Sequence, residues 1–232
     1  MLLDPYRVPF GLSGPASPNG TTPGAEALAQ YRRRAGVYDL EMALWEPIRR
    51  EAIMLLALQP GETVLDVGCG TGLSFGPMRQ ALGAEGRIVG IEQSPDMLAK
   101  ARERINAYAW PGIDLVCSPV ATAQIDASAD AALFHFTHDI LQQPAAVQQV
   151  LRHLRPGARV VASGLKWAGP WHWFTNLFVL PAALHSVSSL DGLDQPWRHL
   201  ARHLTELNLQ IWLNDGVYIA SGIWRGGPDS RP

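Results

Sequence analysis

Asp66, Gly68, Gly70, Gly72 and Glu92 are the residues whose types and spacing bear most directly on chemistry. The run Asp66-Val67-Gly68-Cys69-Gly70-Thr71-Gly72 sets three glycines at alternate positions, directly after the apolar residues Val64 and Leu65. With no Cβ to intrude, such a loop lets backbone approach a ligand closely. A helix following the loop would aim its free N–H groups at an anion. Glu92 ends a second strand-like run, Arg87 to Ile91. A carboxylate there can accept hydrogen bonds from both hydroxyls of a ribose. Together these features predict a site for a nucleoside cofactor.

The spacing is Gly-x-Gly-x-Gly preceded by an acid, not the Gly-x-Gly-x-x-Gly of nicotinamide enzymes. Asp66 would be unwelcome beside a pyrophosphate but suits a ligand of net positive charge, such as the sulfonium and ammonium of S-adenosylmethionine (SAM). The segment Val64 to Leu73 resembles the first motif of class I SAM-dependent methyltransferases. Ile88 to Met97, with Glu92 and Ser94-Pro95-Asp96, is similar to that family's second block. The resemblance continues through Asp130 to Phe134 and Leu154 to Val161, and spans roughly residues 26 to 224. The region before the first motif and the Leu-x-Pro-Gly segment resemble the ubiquinone, menaquinone and small-molecule branch.

The elements that must position these residues alternate between strand and helix. Trp45, Ile48, Ala52 and Leu55 fall at helical spacing. Ser94 with Pro95 is a strong helix start, and Leu98, Ala101, Ile105 and Tyr108 continue its apolar stripe. Further strands are expected at Leu115–Cys117, Ala131–Phe136 and Arg159–Ala162, with helices opening at Pro144 and Pro196. Leu207–Leu213 and Val217–Trp224 flank Asn214-Asp215-Gly216, a hairpin signal. The expected fold is α/β: a doubly wound, Rossmann-like, seven-stranded sheet, parallel except for an antiparallel last strand, with helices on both faces. Residues 1–25 read as a flexible arm, 26–225 as one SAM-binding domain with an N-terminal helical lid, and 226–232 as a flexible tail. In open sheets of this kind the ligand sits beyond the carboxyl ends of the strands.

Within that frame the resemblance implies site residues one by one. Gln93 and Met97 are expected to line the adenine, although Met97 also suits plain helix packing. After the third strand the family often has an acid near the adenine amino group. Here Ser118-Pro119-Val120-Ala121 stands instead, so a backbone contact from Val120 or Ala121, or one from Thr122 or Gln124, must serve. Phe134 to Asp139, at and after the end of the fourth strand, match the family's segment that faces the methionine moiety and the acceptor, with His135 expected to contact the cofactor through its backbone. His138 and Asp139 are candidates for a general base and its orienter, since imidazole titrates near neutral pH. The alternative is that Asp139 caps a helix and His138 packs. Tyr31 and Tyr38 lie in the N-terminal lid, where an electron-rich ring can hold a sulfonium. Trp167 and Trp171 belong to the most aromatic stretch, Lys166 to Phe174, which is the candidate for covering a small apolar or cationic substrate, and Asn176 just beyond it is a further substrate candidate; a dimer contact or a membrane-surface helix is the other reading of the stretch.

Composition narrows the class. A formal charge of −2 gives no footprint for nucleic acid, and Arg32-Arg33-Arg34 reads as a solvated helix face. Cys69 and Cys117 suggest neither a disulfide framework nor a zinc site, and no metal is expected. The first twenty residues lack the pattern of a signal peptide, and no apolar stretch is long enough to span a bilayer. The reading is a cytoplasmic enzyme, monomeric or homodimeric, that transfers a methyl group from SAM to a small molecule. Two alternatives stay open: cyclisation of SAM to azetidine-2-carboxylate with release of methylthioadenosine, for which Phe134, Tyr38, Tyr31, His135, Asp139 and Asn176 are candidates, and a non-catalytic SAM-binding module.

Overall fold

The structure is a computed structural model that describes residues 45–186 and 190–227. Helix α1 (Glu46–Leu55) starts with a proline in its first turn and turns Ile48, Arg49, Ala52 and Ile53 inward. Strand β1 (Thr63–Val67) leads through the glycine loop into α2 (Phe75–Leu82). Next come β2 (Arg87–Glu92), α3 (Pro95–Tyr108), β3 (Ile113–Cys117) and a short 3₁₀ turn over Val120–Thr122. Strand β4 (Ala129–His135) is followed by α4 (His138–Leu141), α5 (Pro144–Leu151) and β5 (Leu154–Leu165). A 3₁₀ segment, Pro170–Thr175, runs into α6 (Asn176–Ser186). The chain closes with α7 (Arg198–Ala201), β6 (Leu204–Trp212) and β7 (Val217–Trp224).

All seven strands form one sheet in the order β3-β2-β1-β4-β5-β7-β6. Pairing is parallel from β3 to β5, while β7 is antiparallel to both β5 and β6. The expected architecture is therefore the one found. The strand order reverses at β1, which has β2 on one side and β4 on the other. This switch point is where open α/β sheets bind ligands. Alternate residues of each strand feed opposite faces. Val64, Leu133, Val161 and Ile219 pack with α1, α2 and α3, whereas Val67, Phe134, Val160 and Tyr218 pack with α5.

Several local expectations need correction. Strand β5 begins at Leu154 and runs through Pro156-Gly157, with a register shift between Ala129 and Ala131 that absorbs them. Gly157 makes this possible at φ +88°. The helix expected from Pro196 shortens to four residues. Tyr108 leaves the buried stripe of α3: it is 63% exposed and stacks on Trp110 with ring centroids 4.7 Å apart. Among the described residues no helix is long and apolar enough to cross a membrane, and no group of three His, Cys, Asp or Glu side chains could hold a metal ion.

Candidate functional site

The glycine loop is tied to β2 by its first two amides. Gly68 N and Cys69 N both donate to the Ile91 carbonyl, at 2.7 and 3.1 Å. Gly70 N then donates to Glu92 Oε2 at 3.2 Å, and Ser94 N donates to Glu92 Oε1 at 2.9 Å. One carboxylate thus joins the loop to the start of α3, where Ser94 Oγ caps Met97 N. All three loop glycines occupy the left-handed region, with φ of +72°, +54° and +77°. Their surroundings differ. A Cβ at Gly68 would stand 2.6 Å from Thr137 Cγ2, and one at Gly72 would stand 2.5 Å from the Phe75 ring. A Cβ at Gly70 would meet nothing within 4 Å. The outer glycines serve packing, and the middle one opens toward the crevice. Cys69 is tucked against Gly90, and burial pushes its thiol up, so it packs rather than reacts.

Beneath the loop lies a buried polar group. Asp66 is 2% exposed and Arg49, reaching in from α1, is 3% exposed. Burial pushes the Asp66 carboxyl up to about 7, opposed by Arg49 and reinforced by Glu92. The His135 ring sits on the same sheet face, 2.7 Å from Ser163 Oγ through Nδ1. Burial, with Arg49 second, pushes the His135 imidazole down to about 3, so it is neutral at physiological pH. Asp66 Oδ2, Arg49 Nε and His135 Nε2 make no hydrogen bond among the described residues. Buried polar atoms are normally paired, so this group suits a polar, charged ligand end.

His138 Nε2 lies 2.9 Å from the Asp191 carbonyl oxygen. A carbonyl only accepts, so Nε2 is the donor and the neutral ring carries its lone pair on Nδ1. That atom is buried without a partner among the described residues. Asp139 does not cap a helix starting at Ile140. The helix starts at His138, with Thr137 at its N-cap.

Beyond β5, the buried Lys166 and the half-buried Asp215 form an ion pair, Nζ to Oδ1 at 2.6 Å. Lys166 Nζ also donates to the Trp167 and Asp215 carbonyls, and Gly169 N donates to Asp215 Oδ2 at 2.6 Å. These bonds strap the β6–β7 turn to the segment after β5. Beside the strap is a cavity of about 300 Å³, lined by Trp45, Leu165, Phe174, Phe178, Val179 and Leu213 among others. Trp45 in turn packs on Phe136, ring centroids 4.9 Å apart. Phe136 holds φ +56°, an uncommon conformation for a bulky residue. Its amide donates to the Ser163 carbonyl at 2.8 Å, which fixes the turn out of β4.

The chain carries a match to a family model described as a methyltransferase domain, over residues 64–157. It is 30% identical over 149 residues to a malonyl-[acyl-carrier protein] O-methyltransferase of Serratia marcescens, covering 64% of this chain and 56% of that one. It is 27% identical over 196 residues to a 2-phytyl-1,4-naphtoquinone methyltransferase of Nostoc punctiforme, covering 77% and 82%. The N-methyltransferase NodS of Bradyrhizobium japonicum, solved with S-adenosyl-L-homocysteine, shares the fold at a TM-score of 0.57 and 15% identity, covering 78% and 87%. Residues 64–157 are thus similar in sequence to the methyltransferase domain, and the sheet shares its fold with solved SAM-dependent methyltransferases. Several of the curated relatives are longer, and the chain spans between 30% and 56% of their length.

Within this methyltransferase fold, Asp66, the three loop glycines, Glu92 and His135 lie at the carboxyl ends of the neighbouring strands β2, β1 and β4, with the exposed Gln93 and half-buried Met97 following β2. Ala121 is half-buried in the 3₁₀ turn after β3, which Ser118 N ties to the Glu92 carbonyl at 3.1 Å. Other residues depart from expectation. The Phe134 ring is fully buried in the core, on the sheet face opposite His135. Asn176 spends both ends of its amide on the Ala168 backbone, at 2.8 and 3.1 Å. Trp171 is 91% exposed, and Trp167 is half-buried against the core. Tyr31 and Tyr38 lie outside the described residues. Sequence reasoning missed Arg49, the positive φ of Phe136 and the pairing of Lys166 with Asp215, and it read Trp45 only as part of a packing stripe.

Proposed function

We propose that the protein transfers a methyl group from SAM to a small-molecule acceptor. The observation that carries this reading is the open face of Gly70, flanked by the Glu92 carboxylate and backed by buried Asp66. The donor set fits the cofactor: a carboxylate with acceptor capacity left on each oxygen for ribose, glycine backbone for close approach, and an acid for the ammonium end. When bound, SAM supplies an electrophilic methyl carbon on a sulfonium whose leaving group is a neutral thioether.

The protein's own task is therefore alignment and exclusion of water. Holding nucleophile and carbon in line can lower the barrier by about 7–11 kcal/mol. Glu92, Gly68, Gly70 and Gly72 hold the nucleoside end, with Gln93, Met97 and Ala121 around the base. Asp66 with Arg49 and His135 holds the amino-acid end. Where the acceptor carries a proton on its nucleophile, His138 Nδ1 is the candidate to remove it, with Asp139 in the same helical turn. Tyr31 and Tyr38 are proposed to face the sulfonium. Cyclisation of SAM draws no support from Phe134, which is sealed in the core, or from Asn176, which is held by Ala168.

Calorimetric titration with SAM, S-adenosylhomocysteine and NADH tests the reading. It requires the first two to bind and NADH not to. Binding of NADH alone would overturn it.

A further inference from the structure

The cavity beside the strap deepens the proposed function by pointing to the acceptor's chemical class. It lies at the carboxyl end of the sheet, between Leu165, the last residue of β5, and Val217, the first residue of β7, which pair in register. Sheet order sets β1, with its glycine loop, two strand spacings from β5, about 10 Å. The end of β4 lies between them. There Phe136 contacts Trp45, which is itself part of the cavity wall. The cavity and the glycine-loop crevice thus flank the same strand end.

The volume, about 300 Å³, stands at the lower end of the range of roughly 300–1,000 Å³ typical of small-molecule sites. Among the described residues, no Asp, Glu, Lys, Arg or His lines the cavity. The nearest charges in the strap neutralise one another: Lys166 is paired with Asp215, whose second oxygen takes Gly169 N–H. An anionic or cationic ligand would lose its hydration and gain no counter-charge, which is costly. Polar capacity is limited as well. The Thr175 hydroxyl donates to the Asn214 carbonyl at 2.9 Å, and the Asn214 side chain stands at the exposed turn. The shape is preformed. The strap fixes the turn, and Gly216 lets Thr175 and Val179 approach where a Cβ would stand 2.8 Å from Thr175 Cγ2.

We propose that this cavity is the acceptor subsite and that it takes an uncharged, predominantly apolar ring compound, seated against Trp45 and Phe178. The proposal rests on the methyl-transfer reading for the word acceptor, but not for the binding itself.

The test uses naphthol and naphthalenesulfonate as probes of one shape and different charge, with the full-length protein and tryptophan fluorescence as the readout. Naphthol is expected to quench the emission saturably and to bind at least about tenfold tighter than the sulfonate, a factor worth about 1.4 kcal/mol. Two variants locate the site. Ala182→Phe fills the cavity from α6. Leu213→Asp puts a charge at its mouth, at an exposed position whose φ of +50° suits Asp. In each folded variant naphthol affinity should fall at least about tenfold while SAM affinity, measured separately by calorimetry, holds. Equal binding of the two probes would overturn the proposal, as would unchanged naphthol affinity in Leu213→Asp. Loss of SAM binding by the wild type with naphthol binding intact would instead overturn the methyl-transfer reading and leave the apolar site standing.

Discussion

Glu92 Oε2 accepts the Gly70 amide hydrogen at 3.2 Å, so the carboxylate proposed to hold a ribose also holds the loop that faces it. Its other oxygen takes Ser94 N–H at the start of α3. The glycine loop, 22 residues earlier in the chain, is thereby joined to the turn between β2 and α3 through one side chain. Glu92→Ala should weaken SAM binding by at least about tenfold, since hydrogen bonds to charged groups contribute roughly 1.5–3 kcal/mol. Calorimetry reads this directly, and unchanged affinity would sink the ribose assignment.

The three glycines should separate by role. Gly68→Ala drives a Cβ to 2.6 Å from Thr137 Cγ2 at positive φ. It should cost about 1–3 kcal/mol of stability through overpacking and backbone strain. Gly70→Ala meets open space and should cost only about 1 kcal/mol from its left-handed backbone, yet lose more SAM affinity than Gly68→Ala corrected for unfolding. Chemical denaturation paired with calorimetry distinguishes them. Equal affinity of Gly70→Ala and wild type would mean that no ligand approaches there.

Asp66 makes the site sensitive to pH. Its folded pKa of about 7 lies above its ordinary value of 3.8, so the folded chain keeps a proton that the unfolded chain has lost. The Asp66 contribution to stability is full below pH 4 and lost as pH rises through 7. A cationic ligand favours the ionised form, so SAM affinity should rise between pH 6 and 8. Asp66→Asn should flatten both dependences. An identical pH profile of SAM affinity in the two proteins would show that Asp66 does not meet the cationic end.

The strap between Lys166 and Asp215 should carry stability. Burial alone would push Asp215 up, but the Gly169 amide and the Lys166 ammonium outweigh it and hold the carboxyl below its usual range. Its stabilisation is present above the ordinary aspartate range and is lost as pH falls through the lowered folded value. Asp215→Ala takes the carboxylate partner from the Lys166 ammonium, which keeps its two carbonyl acceptors, and should cost about 1.5–3 kcal/mol. Denaturation at pH 7 measures it, and a loss within error would mean that water reaches Lys166.

The parts of this site that were legible in sequence are those set by local chemistry. Positive φ demands glycine, and the close approach at Gly68 and Gly72 leaves three glycines in a row of alternate positions. Ser94-Pro95 announces α3, and Asp215-Gly216 announces the last hairpin. Partnerships across the sheet were not legible. Lys166 and Asp215 are 49 residues apart and meet only because β7 inserts between β5 and β6. Arg49 carried no signal in the sequence; it comes near Asp66 only because α1 packs against β4 and β5. Phe136 carries a positive φ that a phenylalanine does not advertise. Conversely, Trp171, chosen from an aromatic stretch, and Asn176, chosen by type just beyond it, do not line a site: folding turned one outward and spent the other on Ala168.

The most direct test of the central claim is incubation of the purified protein with SAM bearing a deuterated methyl group, together with an organic extract of neutral metabolites. Mass spectrometry then follows the nucleoside and the label. The account predicts S-adenosylhomocysteine together with a neutral product carrying the intact deuterated methyl group. Release of methylthioadenosine above the no-enzyme rate, with the label still on its sulfur and no labelled acceptor, would contradict methyl transfer, and azetidine-2-carboxylate beside it would establish the cyclising chemistry instead.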